Sequence, residues 1–377
     1  MILIKNVAIL GENNLSLMDI LIGGGKILDI SPNININLPS IKVIDAEGLL
    51  ATPGYIDQHV HITGGGGEGG YTTRVPEISA RDIVNAGVTT VVGLLGTDGT
   101  TRSMENLVAK TKALNEYGVT AYCLTGSYEI PSVTLTGNVK KDIMFIQEVI
   151  GVKLALSDHR SSNISLQDLI YLSSDVRLAG LLSGKCGIVT IHMGTGKCGL
   201  SPLFELVDKT DIPIKTLRPT HVDKIIDEAI EFANLGGYID ITSREESERT
   251  TSAIIKALDK APLEKITMST DSNGSMPIWN EKNEMIGMTA GKMTTMHQNV
   301  KELINVKGLP MDTAFNLVTK NVAEALEIYP KKGTIAVGSD ADINLIDDKL
   351  NIITTISNGV VMKENGKVLL KENFINS

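Results

Sequence analysis

Six side chains in this sequence have the types and positions to hold metal ions. His59 and His61 stand two apart at the end of the segment LLATPGYIDQHVH. Residues two apart on a β-strand share a face, so both imidazoles can reach one ion. The chain has only 6 histidines, and His192 and His221 follow at the ends of later strand-like runs. Lys153 lies in the apolar run GVKLAL and Asp271 in STDSNG. Imidazole suits zinc, and an oxygen anion shared between two ions permits a binuclear centre with a bridging hydroxide. A protonated lysine would repel a dication, whereas a neutral one can take up carbon dioxide and become a carbamate whose two oxygens bridge two metals. Carbamate, aspartate and hydroxide then offset most of the charge of two divalent ions; without the carbamate the site would be overcharged.

Such residues need a scaffold that brings strand ends together. From Thr89 onward, short β-branched runs alternate with longer amphipathic stretches: TTVVGLL (89–95), TAYCLTG (120–126), VIGVKLALS (149–157), GIVTIHMG (187–194), IKTLRPTHV (214–222), GYIDITS (237–243) and ITMSTDSNG (266–274). With the strand before His59 they make eight. Segments between them, such as MENLVAKTKALNEYG, carry apolar residues at helical spacing and stop on glycine. The pattern predicts an α/β fold, a (β/α)8 TIM barrel over residues 53–331, whose active site lies at the carboxyl ends of the strands. The polar candidates fall there: His59 and His61 on the first strand, Thr97 after the second, Tyr128 after the third, Lys153 on the fourth, His192 on the fifth, His221 on the sixth and Asp271 on the eighth. Residues 1–52 and 332–377 alternate in a strand-like way between turn signals such as Gly23-Gly24-Gly25. Neither piece is long enough to fold alone, so together they predict one small β-sandwich domain with the barrel inserted between them.

Composition fits this reading. With 377 residues, 36 glycines and 4% aromatic residues, the chain can bury a large core and make many strand-to-helix turns. A net charge of −9 argues against nucleic acid or an anionic membrane as partner and for a small-molecule substrate. Cys123, Cys186 and Cys198 lack metal-ligand spacing and are expected to be reduced packing residues of a cytoplasmic protein. The opening MILIKNVAIL is broken by Lys5 and lacks a signal peptide's features, and no apolar run reaches the ~18 residues that span a bilayer. His159 and His297 are expected to be structural, and Asp340 and Asp342 to be turn residues. Asp57 either orients His59 or serves a turn.

Taken together, PGYIDQHVH, the isolated Lys153, His192, His221, Asp271 and the late GTIAVGSDADINLI resemble the amidohydrolase superfamily of metal-dependent hydrolases. Within it, DQHVHITGGGGEGGYTTRVPE, AGVTTVVGLLGTDG, GVKLALSDHRS, RPTHV, GGYIDITS and STDSNGS are similar to the isoaspartyl (β-aspartyl) dipeptidase family over nearly the whole chain. The resemblance implies two zinc ions per protomer, one on His59 and His61 and the other on His192 and His221. Carbamylated Lys153 would bridge them, and Asp271 would be both a ligand and the proton shuttle. It also implies that Tyr128 donates to the developing oxyanion, and that the reaction is hydrolysis of the isopeptide bond of β-aspartyl dipeptides.

Such a substrate carries one ammonium and two carboxylates. The resemblance assigns the ammonium to Glu68, carried by the loop GGGGEGG, and the carboxylates to Arg160 and Ser275, with Gly66 and Thr97 as backbone or hydroxyl contacts. One position departs from the family pattern: Lys224 stands where the family has a carboxylate-binding arginine. A point charge in place of a bidentate fork implies looser or redistributed carboxylate binding. The resemblance further implies a homo-oligomer such as an octamer. A cyclic-amide hydrolase or aminoacylase with the same centre, and a non-catalytic scaffold, are the alternative readings.

Overall fold

Eight parallel strands follow one another around a barrel in the computed structural model, which describes residues 1–11, 17–36, 38–279 and 285–373. They are Tyr55–Val60, Val88–Gly93, Thr120–Thr125, Val149–Leu156, Ile188–Met193, Leu217–Thr220, Ile239–Thr242 and Ile266–Ser269. The ring meets where Val60 bridges Ser272 and the His61 N–H donates to the Ser272 carbonyl at 2.9 Å. Strands covered on both faces read as near-continuous β-branched runs, and both VTTVVG and VIGVKLAL are buried along their whole length. Helices cover the outside. Met104–Glu116 turns Met104, Leu107, Val108, Thr111 and Leu114 inward at spacings of three and four, and the Ser103 hydroxyl accepts from the Asn106 N–H at its start.

The eight strand-like runs of the sequence are these strands, with two differences. Ile214–Thr216 is a 3-10 turn, so the sixth strand begins at Leu217 and His221 lies just past its end. The eighth strand stops at Ser269, because Asp271 and Asn273 adopt positive φ values that end extended backbone. A hairpin, Ser275–Trp279 with Met285–Ala290, then follows; it carries Ser275 and has no counterpart in the sequence reading.

The two ends of the chain share a nine-stranded mixed sheet in which Ile343–Ile346 pairs antiparallel with Leu50–Pro53. Ile4, Ile20, Ile22, Ile27, Ala51, Ile343, Leu345 and Ile356 give it a core of its own. Asp340 and Asp342, expected as turn residues, are instead buried ion-pair partners. Lys332 Nζ, whose side chain is 2% exposed, lies 2.5 Å from Asp342 Oδ2 and 3.0 Å from Asp340 Oδ2, while Lys26 reaches Asp340 Oδ1 at 2.6 Å. Replacing Lys332 by methionine leaves buried carboxylates uncompensated and should destabilise the fold by about 3–5 kcal/mol. Calorimetry would register this as a lower Tm, and an unchanged Tm would refute it.

His297 is structural: its ring nitrogens meet the Tyr55 hydroxyl at 2.8 Å and the Leu350 carbonyl at 2.7 Å. Cys123 and Cys186 are buried packing residues, but Cys198 is exposed, in the loop that follows the fifth strand. Among the described residues, no helix is long and apolar enough to cross a membrane.

Candidate metal centre

The first and eighth strands are fastened together at the level of the candidate ligands. Asp57 accepts from the His59 N–H and the Thr270 N–H, both at 3.2 Å, and from the Thr270 hydroxyl at 2.5 Å. It therefore holds the backbone of His59 and leaves the ring alone. Burial pushes its carboxyl up to about 7 despite those hydrogen bonds. At the next level, His221 (φ 63) and Asp271 (φ 53) both adopt the left-handed conformation. For residues with a side chain this costs on the order of 1 kcal/mol each, so the surrounding fold imposes strain where both candidate ligands sit.

Asp271 is where the imidazoles meet. Its Oδ1 lies 3.1 Å from His61 Nε2 and 3.5 Å from His59 Nε2, and its Oδ2 lies 3.9 Å from His221 Nε2. His59, His221 and Asp271 each offer a ligand atom within 4.8 Å of the others. Lys153 Nζ lies 3.3 Å from His59 Nε2. The ring centroids of His59 and His221 are 4.9 Å apart, and those of His221 and His192 are 4.6 Å apart. Gly96 leaves room for this cluster, because a Cβ there would lie 2.9 Å from His61 Cε1.

Burial sets the charge states. It holds His59 and His221 well below the usual imidazole value and His192 down at about 4, so these rings are neutral. It also lowers the amine of the fully buried Lys153 to about 7, which gives a large neutral fraction near neutrality. Burial alone would raise Asp271, but the nearby His221, a hydrogen bond from His61 and Lys153 outweigh it and keep the carboxylate ionised. His221 engages the Thr242 hydroxyl through Nδ1 at 2.6 Å, while its buried Nε2 has no hydrogen-bond partner. Buried imidazole nitrogens without a hydrogen-bond partner, gathered about one carboxylate, fit a divalent metal ion.

Beside this cluster a second group converges on Glu68. Its Oε1 accepts from the Ser275 hydroxyl at 2.8 Å, the Thr97 hydroxyl at 3.0 Å and Arg160 Nη1 at 3.3 Å. Burial opposes its ionisation, but these donors win and lower its pKa. The loop that carries Glu68 is tightly built. Gly66 (φ 76) pairs with Arg74, and a Cβ there would strike the Thr73 carbonyl, so only glycine fits. Buried Arg102 donates to the carbonyls of Thr63, Gly65 and Val75, gripping both legs of the loop.

The structure thus gathers His59, His61, His221, Asp271 and Lys153 into one cluster and Glu68, Thr97, Arg160 and Ser275 into another. His192 and Tyr128 lie between the two: the Tyr128 hydroxyl is 2.7 Å from His192 Nδ1, and the Arg160 guanidinium lies 5.3 Å from the Tyr128 ring centre. Lys224 is not part of the Glu68 group. It is exposed on the short turn Val222–Ile225, where its charged neighbours are Asp223, Arg244, Arg249 and Arg160.

Asp158, Thr242 and Arg102 escaped the sequence reading. Asp158 takes Arg160 in a fork, Nε to Oδ1 at 2.9 Å and Nη2 to Oδ2 at 2.8 Å, and its Oδ2 lies 3.0 Å from His192 Nε2. Burial disfavours its charge, but the hydrogen bonds from Arg160 and His192 hold it well below the usual carboxylate range. Its only sequence signal is its place two residues before Arg160 in SDHRS.

Residues 200–365 match the amidohydrolase family. The whole chain is similar to a β-aspartyl dipeptidase from Fervidobacterium islandicum AW-1, crystallised in complex with β-Asp-Leu dipeptide, at 39% identity and a TM-score of 0.92, covering 99% of this chain and 100% of that one. A D-hydantoinase from Thermus sp. has the same fold, with a TM-score of 0.68 at 18% identity over 98% of this chain and 97% of that one. The L-hydantoinase of Paenarthrobacter aurescens is 20% identical, covering 99% of this chain and 96% of its own length.

Proposed function

The chain belongs to the β-aspartyl dipeptidases of the amidohydrolase superfamily, and from that membership we propose that it is a binuclear zinc metallopeptidase hydrolysing the isopeptide bond of β-aspartyl dipeptides. The observation that carries the substrate assignment is the convergence of Ser275, Thr97 and Arg160 on Glu68. An anionic acceptor for an ammonium, beside a guanidinium for the neighbouring carboxylate, matches the zwitterionic end of a β-aspartyl residue. A cyclic amide such as a hydantoin lacks that ammonium.

His59, His61, His192, His221, Asp271 and carbamylated Lys153 would hold the two ions, which when bound supply Lewis acidity toward water and the scissile carbonyl. The chain's own groups do the rest. Asp271, ionised and next to the ligand cluster, accepts a proton from the attacking water as the new C–O bond forms, then delivers it to the leaving amine as the C–N bond breaks. Tyr128 keeps its proton because burial raises its pKa well above the usual phenol value. Its hydroxyl can therefore donate to the carbonyl oxygen as negative charge develops there. Glu68 binds the ammonium, and Arg160 and Ser275 bind the carboxylate beside the isopeptide bond, with Thr97 and the Gly66 backbone completing the wall.

A panel of β-Asp-Leu, α-Asp-Leu and a hydantoin tests the assignment, with zinc measured on the same sample. Turnover of β-Asp-Leu alone, with two zinc per chain, is expected; faster turnover of the hydantoin would overturn it. Lys224 contributes a point charge at the outer carboxylate. Lys224→Arg should therefore lower KM for β-Asp-Leu by about threefold to tenfold, with kcat little changed; an unaltered KM would remove Lys224 from the pocket. The same reading makes the protein a cytoplasmic homo-oligomer. Exposed Tyr171, Leu178, Leu181 and Leu182 on the helix Leu166–Ser183 support self-association.

A further inference from the structure

We propose that Asp158 is a positioning residue that serves the metal centre and the substrate pocket at once, fixing the tautomer of His192 through one oxygen and the fork of Arg160 through both. This rests on the proposed reading of His192 as a ligand and Arg160 as a carboxylate anchor.

An ionised carboxylate only accepts hydrogen bonds. With Asp158 Oδ2 at 3.0 Å, His192 Nε2 must carry the ring proton, because a lone pair there would face an anion. Arg160 Nη2 also lies 3.1 Å from Nε2, as two donors do when both point at one oxygen. The ring's lone pair is thereby assigned to Nδ1, which accepts from the Tyr128 hydroxyl at 2.7 Å. This is the carboxylate–imidazole pairing that orients metal-ligating histidines and strengthens them as donors.

The same carboxylate takes Nε and Nη2 of Arg160, which leaves Nη1 to face Glu68 at 3.3 Å. Asp158 can serve both partners because it is nearly closed to solvent, with its side chain 6% exposed. A continuous line therefore runs His192–Asp158–Arg160–Glu68, from a metal ligand to the ammonium acceptor.

Asp158→Asn has nearly the same shape but only one acceptor oxygen. If that oxygen keeps Arg160 Nε, the amide N–H groups face both Arg160 Nη2 and the His192 Nε2–H, so the fork is halved and the ring loses its partner. In the full-length zinc-loaded protein, chelator competition should show one of the two zinc ions held about 10- to 100-fold more weakly, while the other is unchanged. KM for β-Asp-Leu should rise about tenfold or more. Arg160→Lys should raise KM alone, with both zinc affinities at wild-type values, and the double variant should be less than additive in KM. If Asp158→Asn fails to fold, Asp158→Glu, which keeps the charge but displaces it by one methylene, should show the same two shifts.

Wild-type zinc affinity at both sites would overturn the His192 half of the proposal, and an unchanged KM would overturn the Arg160 half. A wild-type protein that binds two zinc ions but spares β-Asp-Leu would refute the substrate assignment. The zinc measurement would still decide the role of Asp158.

Discussion

Replacing Lys153 by alanine should strip the paired zinc from the centre and lower kcat by about a thousandfold or more. The side chain is completely buried, and among the described residues Asp271 is the carboxylate of the candidate ligand group. Losing the bridging anion leaves two dications facing each other at short range in a site of low dielectric. The cavity left by the lysine stem opens directly onto His59, so acetate or another short carboxylate should enter and restore part of both zinc content and turnover. Full activity without added carboxylate would rule the carbamate out.

The pH dependence of assembly has a definite sign. Burial lowers the Lys153 pKa to about 7, so the neutral amine that reacts with carbon dioxide predominates above that value and is lost below it. Metal-free protein given zinc and bicarbonate should regain activity faster at pH 8 than at pH 6. Equal rates would argue against carbamylation as the limiting event.

Glu68→Gln should lower kcat/KM for β-Asp-Leu by roughly 30- to 150-fold, the value of about 2–3 kcal/mol for a hydrogen bond to a charged group in a partly enclosed site. The amide keeps the shape and one acceptor oxygen for Ser275 and Thr97, so the loop should hold its place while the substrate ammonium loses its counter-charge. Zinc content should not change, which separates this effect from that of Lys153. A glutamine variant that cleaves β-Asp-Leu as well as the wild type would end the substrate assignment, since Glu68 is the carboxylate on which Ser275, Thr97 and Arg160 converge.

The parts of the molecule legible from sequence were those whose signal is periodic or costly. Barrel strands buried on both sides must be apolar throughout, so VTTVVG and VIGVKLAL announce themselves. Lys153 stands out for the opposite reason: a charge in the middle of such a run would be costly without a task. Asp158 carries no comparable signal. An aspartate after a strand is ordinary, and only three-dimensional proximity reveals that Arg160 and His192 share it. Asp340 and Asp342 looked like turn residues because their partner Lys332 has no helical or strand register with them. The hairpin after the eighth strand lies outside the alternating strand–helix repeat and so has no periodic signal, and Arg102 has none because its partners are backbone carbonyls, which leave no mark on side-chain spacing.

The interleaved terminal sheet makes biosynthesis part of this protein's physics. Leu50–Pro53 leads straight into the strand that bears His59, yet one of its edges is covered only by Ile343–Ile346, and the pair Lys26–Asp340 joins positions 314 residues apart. At ordinary translation speeds the early strands wait on the order of tens of seconds for that partner, exposing an unpaired edge meanwhile. A prematurely terminated chain would never cover it. Ribosome-stalled fragments should therefore be recognisable to chaperones and proteases by that bare edge, and release from such surveillance should coincide with emergence of the residues near 346.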